Sequence, residues 1–135
     1  WALAFDSDCL LFPKGLLEEL KSQAETDGAY MVGDLLHVDG GGHRVERAGK
    51  SPAHPYVHPR CALIRRSAYL TLPPFEKHGA PCLRNQIAAA GQGHALLHFP
   101  IDQYVFHLGR GTASRYGYGL GLKGQLYKLR RLFRR

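Results

Sequence analysis

The sequence predicts an α/β fold, an open sheet with helices packed against it, and three observations carry that expectation. Short apolar runs near 1–5, 30–38, 61–64, 95–99 and 103–107 alternate with stretches of helical period near 13–25 and 81–90. The first run stops at Asp6-Ser7-Asp8, the way a buried strand ends at a working edge of such a sheet. Glycine and proline clusters, Gly40-Gly41-Gly42 and Pro73-Pro74 among them, fall between the periodic segments. At 135 residues the chain has the length of one domain with one core.

Each element follows from its residues. Trp1-Ala2-Leu3-Ala4-Phe5 predicts a buried strand. Beyond Pro13, which suits a first helical turn, Leu16, Leu17 and Leu20 recur with Glu18, Glu19 and Lys21 between them, predicting an amphipathic helix over 13–25. A strand is expected over 30–38. Residues 39–57 have loop composition without period and the length of a flap. Cys61-Ala62-Leu63-Ile64 predicts a second buried strand, with a helical turn over 66–70 after it. A helix over 81–90 has Pro81 near its start and Gly91 just past its end. Two short strands, 95–99 and 103–107, join through Pro100. The glycine-dense, aromatic-interleaved stretch 109–124 reads as a loop over a site. Leu122, Leu126, Leu129 and Leu132 or Phe133 then return at helical spacing, so the chain divides into a main portion, 1–120, and a basic amphipathic helix, 121–135.

Charge is unevenly placed. The net +7 resides after Asp102, the last acidic residue, and residues 1–102 are close to neutral, which disfavours a binder of polyanions over the whole surface. The tail has three readings, ranked in this order: leucines packed on the core with Lys128, Arg130, Arg131, Arg134 and Arg135 in water; the same cations on anionic lipid; and contact with nucleic acid phosphates. Cys9, Cys61 and Cys82 lack paired spacing and read as reduced thiols in a cytoplasmic setting. No stretch approaches the roughly 20 apolar residues of a membrane span. The chain opens on Trp1 with an apolar run leading straight into an acidic turn, and we read it as a fragment or trimmed piece.

Two aspartates flanking one residue at a strand end can give oxygens to one hard cation and leave its other positions to phosphate and water. Asp6 and Asp8 have that spacing; an Asx-type turn capping the following helix is the other reading. The run Leu3-Ala4-Phe5-Asp6-Ser7-Asp8-Cys9-Leu10, followed by Pro13, Gly15-Leu16-Leu17 and Leu20, resembles the strand, DxD and helix passage of family 2 glycosyltransferases. His58-Pro59-Arg60-Cys61-Ala62-Leu63-Ile64-Arg65-Arg66 is similar to their acceptor-side strand and turn, and the helix ending at Ala90-Gly91 to their acceptor helix. Phe99-Pro100-Ile101-Asp102, Val105-Phe106-His107 and Gly109-Arg110-Gly111-Thr112 resemble the closing strand and its turn, so the likeness spans roughly residues 1–115.

The resemblance implies a partial GT-A (Rossmann-like) sheet whose nucleotide-binding half would precede Trp1. It also implies metal-dependent transfer of a sugar from a nucleotide-sugar donor to a hydroxyl acceptor, a glycan or a lipid-linked one. Asp6, Asp8 and His107 are the implied metal ligands. For His107 a hydrogen-bonded strand-end residue is an equal alternative. Imidazole favours Mn2+ over Mg2+ as the divalent cation. Arg110 and Arg115 would fork onto phosphate and Thr112 would donate to the diphosphate; solvated loop charge is the other reading of the two arginines. The family's acidic pair at the start of the acceptor helix is missing, since Gly79-Ala80-Pro81-Cys82-Leu83-Arg84-Asn85 holds no acid. A carboxylate base from the later part of the chain is therefore Glu76 or Asp102, each of which also reads as structural or solvated. The chain alone is expected to be a weak or inactive enzyme and, with a cut sheet edge, to pair with a second copy. The rival reading is a non-catalytic module whose basic tail contacts membranes or polyanions.

Overall fold

The computed structural model describes residues 1–6, 9–11, 15–45, 53–76 and 80–107. The order is β1 (Ala2–Phe5), β2 (Cys9–Leu11), α1 (Leu16–Thr26), β3 (Met31–Val38), β4 (His54–Ile64), α2 (Arg66–Tyr69), α3 (Leu83–Gly91), β5 (Leu96–His98), a 3-10 turn (Ile101–Gln103) and β6 (Val105–His107). This is a mixed α/β architecture. Four strands form a sheet in the order β1-β4-β3-β5, antiparallel except for the parallel pair β3 and β5, and β2 pairs with β6 in a second, antiparallel ribbon.

The central strands bury both faces, which is why they read as continuous apolar runs. Val32, Cys61 and Leu63 meet Leu16, Leu20 and Ala24, the inward stripe of α1, together with Phe99, Ile101 and Val105. Met31, Val57, Ala62 and Ile64 point the other way, onto Tyr30, Ala68, Leu72 and Ala89. Alternate residues of β3 and β4 thus serve opposite layers, with α1 on one side and α2 and α3 on the other. Gly15, at φ +97°, starts α1, and Glu18 and Glu19 lie in its first turn, where the helix dipole favours them. The expected start at Pro13 lies outside the described residues.

Three expectations change. Among the described residues the strand over 1–5 is an edge strand, and Trp1, Leu3 and Phe5 are 38%, 41% and 37% exposed rather than buried. Within the supposed loop 39–57, residues 39–45 form a tight turn in which Val38 bridges Arg44, and His54 to Val57 belong to β4, pairing with Val38 back to Leu35; residues 46–52 lie outside the described residues. Pro55 fits because β1 pairs only with Cys61 to Ile64, so among the described residues its missing N–H faces no strand. Lastly, β2 was not expected, because its partner β6 lies far along the chain.

The β3–β4 register jumps from Gly33 opposite Ala62 to Asp34 opposite His58, leaving Pro59, Arg60 and Cys61 as a bulge on β4. Gly33 permits the close approach there, because a Cβ would stand 2.8 Å from the Cys61 carbonyl oxygen. Two polar side chains of α3 are fully buried. Gln86 accepts the Val57 N–H at 2.7 Å and donates to the Val57 carbonyl at 2.8 Å, replacing the strand neighbour that β1 does not extend to provide. Asn85 accepts from the Tyr30 hydroxyl at 2.6 Å and donates to the Pro73 carbonyl at 2.8 Å. Among the described residues no helix is long and apolar enough to cross a membrane. The helix over 121–135 and the loop over 109–124 lie outside the described residues, as does the division at 120.

Candidate functional site

Asp6 leaves the end of β1 held by its backbone. Its N–H donates to the Arg60 carbonyl at 2.9 Å, extending the β1–β4 ladder by one residue, and its carbonyl accepts the N–H of Cys9, the first residue of β2, at 3.2 Å. Cys9 is opposite His107 in the β2–β6 register. The ladder therefore brings the backbone of position 107 across from the residue that follows Asp8, joining two motifs far apart in sequence. Asp8, Ser7 and the His107 side chain lie outside the described residues. Among the described residues no three His, Cys, Asp or Glu side chains gather closely enough to hold a metal ion, so Asp6 is the one member of the expected trio whose side chain can be located.

Asp6 lines a cleft of about 480 Å³. Tyr56, His58 and Pro59 of β4 form one wall, Arg44 comes from the turn after β3, and Ala80 and Pro81 close the side toward α3. The backbone N–H of Arg60 donates to His58 Nδ1 at 3.2 Å, so in the neutral ring the proton is on Nε2. His58 also meets Tyr56 edge to face, with centroids 6.2 Å apart. Burial pushes the Tyr56 phenol well above its ordinary range, and the neighbouring Cys82 and Asp6 charges add to the effect. Burial likewise pushes the Cys82 thiol up to about 12; the Tyr56 hydroxyl hydrogen bond opposes this and the Asp6 carboxylate reinforces it. Both groups are neutral at pH 7, so Tyr56 offers the cleft no phenolate and the buried Cys82 is no thiolate nucleophile. Carboxylate, guanidinium and imidazole in one cleft suit a phosphate-bearing ligand that arrives with a cation.

The cleft depends on the 39–45 turn. Asp39 Oδ1 accepts the N–H groups of Gly41 and His43, each at 2.9 Å, and these bonds, that of His43 foremost, hold the Asp39 carboxyl below its ordinary range. Gly42, at φ +81°, lets the turn close on Ala80, whose Cβ a side chain at 42 would overlap. On the far side of that contact a second cleft of about 330 Å³ is lined by Glu76, Arg84, Leu83 and Ile87.

The two candidate bases are in different places. Glu76 lines the second cleft, exposed, with its carboxylate 3.9 Å from Arg84. Asp102, 80% exposed, accepts from Arg60 Nη2 at 2.9 Å, and the same nitrogen donates to Asp34 at 2.8 Å. Neither carboxylate borders the Asp6 cleft. Arg110, Thr112 and Arg115 lie outside the described residues. Sequence reasoning missed Arg44, Tyr56 and His58. A signal for the last two existed, since His54, Tyr56 and His58 alternate with Pro55 and Val57 at strand period, but the prolines disguised it.

The fold and the cleft define an α/β domain with a mixed sheet and a carboxylate at the end of an edge strand. No family model, no curated protein and no solved structure matches the chain.

Proposed function

We propose that the chain is the metal-binding, acceptor-side portion of a GT-A-type glycosyltransferase related to family 2, and that it takes part in transferring a sugar from a nucleotide-sugar donor to a hydroxyl acceptor. One observation carries this reading: Asp6, at the strand end where the DxD resemblance begins, lines an open cleft while the β2–β6 ladder brings position 107 opposite Cys9. Asp6, Asp8 and His107 would hold Mn2+ or Mg2+, and the cation would neutralise the charge that grows on the departing diphosphate. Arg44 at the cleft wall, with Arg110, Thr112 and Arg115 from the glycine-rich stretch, would contact the phosphates. Glu76, one cleft away across Ala80, would be the better acceptor of the hydroxyl's proton, because its carboxylate lies 3.9 Å from the exposed Arg84 whereas Asp102 is held at 2.9 Å by the half-buried Arg60. The reading goes with a cytoplasmic enzyme whose basic tail rests on an anionic lipid surface near a lipid-linked acceptor.

A second reading has its own support. Ala80 and Pro81, at the head of the acceptor helix, line the Asp6 cleft and bring no acid to it, which suits a relative that binds a nucleotide diphosphate without transferring sugar. Calorimetry of the chain with UDP and Mn2+ tests both. Metal-dependent binding lost in Asp6→Asn and Asp8→Asn supports a donor site, and release of sugar from a UDP-sugar then separates transfer from binding. Absence of any metal-dependent binding would remove both readings and leave the non-catalytic module with a basic tail.

A further inference from the structure

Arg60 occupies the middle of the β4 bulge, and its contacts reach the end of β1, the start of β2, β3 and the 3-10 turn ahead of β6. Its carbonyl accepts the Asp6 N–H at 2.9 Å and the Cys9 thiol at 3.6 Å, so its main chain ties the end of β1 to the start of β2. Its own N–H fixes the His58 ring. Its side chain, 17% exposed, turns the other way: Nη2 donates to Asp34 of β3 at 2.8 Å and to Asp102 at 2.9 Å. Asp102 belongs to the 3-10 turn that feeds β6 through Tyr104, and β6 carries position 107. The guanidinium Nε is buried without a hydrogen-bond partner among the described residues, so the polar pairing of this side chain runs through those two carboxylates.

We propose that Arg60 is a positioning residue, with its main chain holding Asp6 and Cys9 and its guanidinium holding the segment that leads into β6. One residue thereby sets the spacing between Asp6 and the strand bearing His107. Asp102 then serves as the anchor for that guanidinium and not as a proton acceptor. This rests on the metal-site reading above for its purpose, but the mechanical link can be measured without metal. The link is modest in strength, because Asp102 is largely in water and Asp34 continues to pair with Arg60 when Asp102 is removed.

The test compares Asp102→Asn with wild type and with Asp27→Asn, an equal charge change at the exposed end of α1. In metal-free protein, amide hydrogen exchange is followed in β2 and β6 against the β3–β4 ladder. An ion pair of this kind corresponds to about a two- to five-fold change in local opening. The expected result is faster exchange by that factor in β2 and β6 alone, restored by Asp102→Glu and absent in Asp27→Asn. Uniform acceleration, or none, would overturn the proposal. Mn2+ affinity is then measured on the same proteins. A similar two- to five-fold weakening in Asp102→Asn supports the proposal, and unchanged affinity beside altered exchange overturns it. If wild type binds no Mn2+ while exchange changes as expected, the metal reading fails and the positioning link stands.

Discussion

Replacing Gln86 by Leu tests how the sheet is completed where β1 ends. Leucine has a similar volume and suits a buried helix position, so the change removes hydrogen bonding with little change in packing. Gln86 and Val57 are both fully buried, and the 2.7 Å and 2.8 Å bonds join the Gln86 amide to the Val57 N–H and C=O. Without the amide, that donor and that acceptor lose their partner away from water. Each buried orphan costs about 1–3 kcal/mol, so the pair costs about 2–6 kcal/mol, a large share of the 5–15 kcal/mol by which domains are ordinarily stable. Urea denaturation followed by far-ultraviolet circular dichroism is the assay. With a slope of about 1–3 kcal/mol per molar urea, the midpoint should fall by about 1 M or more while the slope holds. The damage would also reach the site, since Tyr56 and His58 flank Val57 and line the Asp6 cleft. A midpoint within about 0.2 M of wild type would refute the reasoning, because it would mean that water or another group already serves the Val57 backbone.

Two further predictions concern the 39–45 turn and the buried cysteines. Gly42→Ala forces a side chain into a left-handed conformation and against Ala80, and should cost about 1–3 kcal/mol; an unchanged thermal midpoint would show that the 39–45 turn does not rest on Ala80. The buried thiols of Cys61 and Cys82, pushed up by burial to about 11 and about 12, should not react with a thiol reagent at pH 8 until the protein unfolds. Because these folded-state values lie above the unfolded value, the protonated form is favoured by folding. Their contribution is fully present below about pH 8.5 and declines as pH rises toward 11–12, so urea midpoints measured from pH 8 to 11 should fall. A midpoint flat across that range would contradict the burial of the two thiols.

Much of the secondary structure was legible because its causes are local. The stripe of Leu16, Leu20 and Ala24 turns with the helical period, Pro81 stands two residues ahead of α3 and Gly91 is its last residue, one position later than expected, and the apolar run Cys61 to Ile64 signals a strand buried on both faces. The β4 residues from His54 to Val57 escaped because Pro55 argues against a strand unless one knows that its N–H side has no strand to bond. Of the candidate site, the sequence singled out Asp6 and the strand carrying His107, but Arg44, Tyr56 and His58 come together only when β3, β4 and the turn between them are assembled.

The amino-acid order by itself determined the α/β class, the carboxylate at the end of the first strand, the absence of an acid at the head of α3 and the basic character of everything after Asp102. These follow from composition and from periods of two and 3.6 residues, which any short window reveals. Tertiary structure alone decided that β1 is an edge strand, that β2 pairs with β6, that Gln86 completes β4 and that Asp102 is spent on Arg60. Each of these is a contact between residues 29 or more positions apart, or the lack of one. Such contacts are chosen by the burial and hydrogen bonding of the whole fold, a competition that no local window contains.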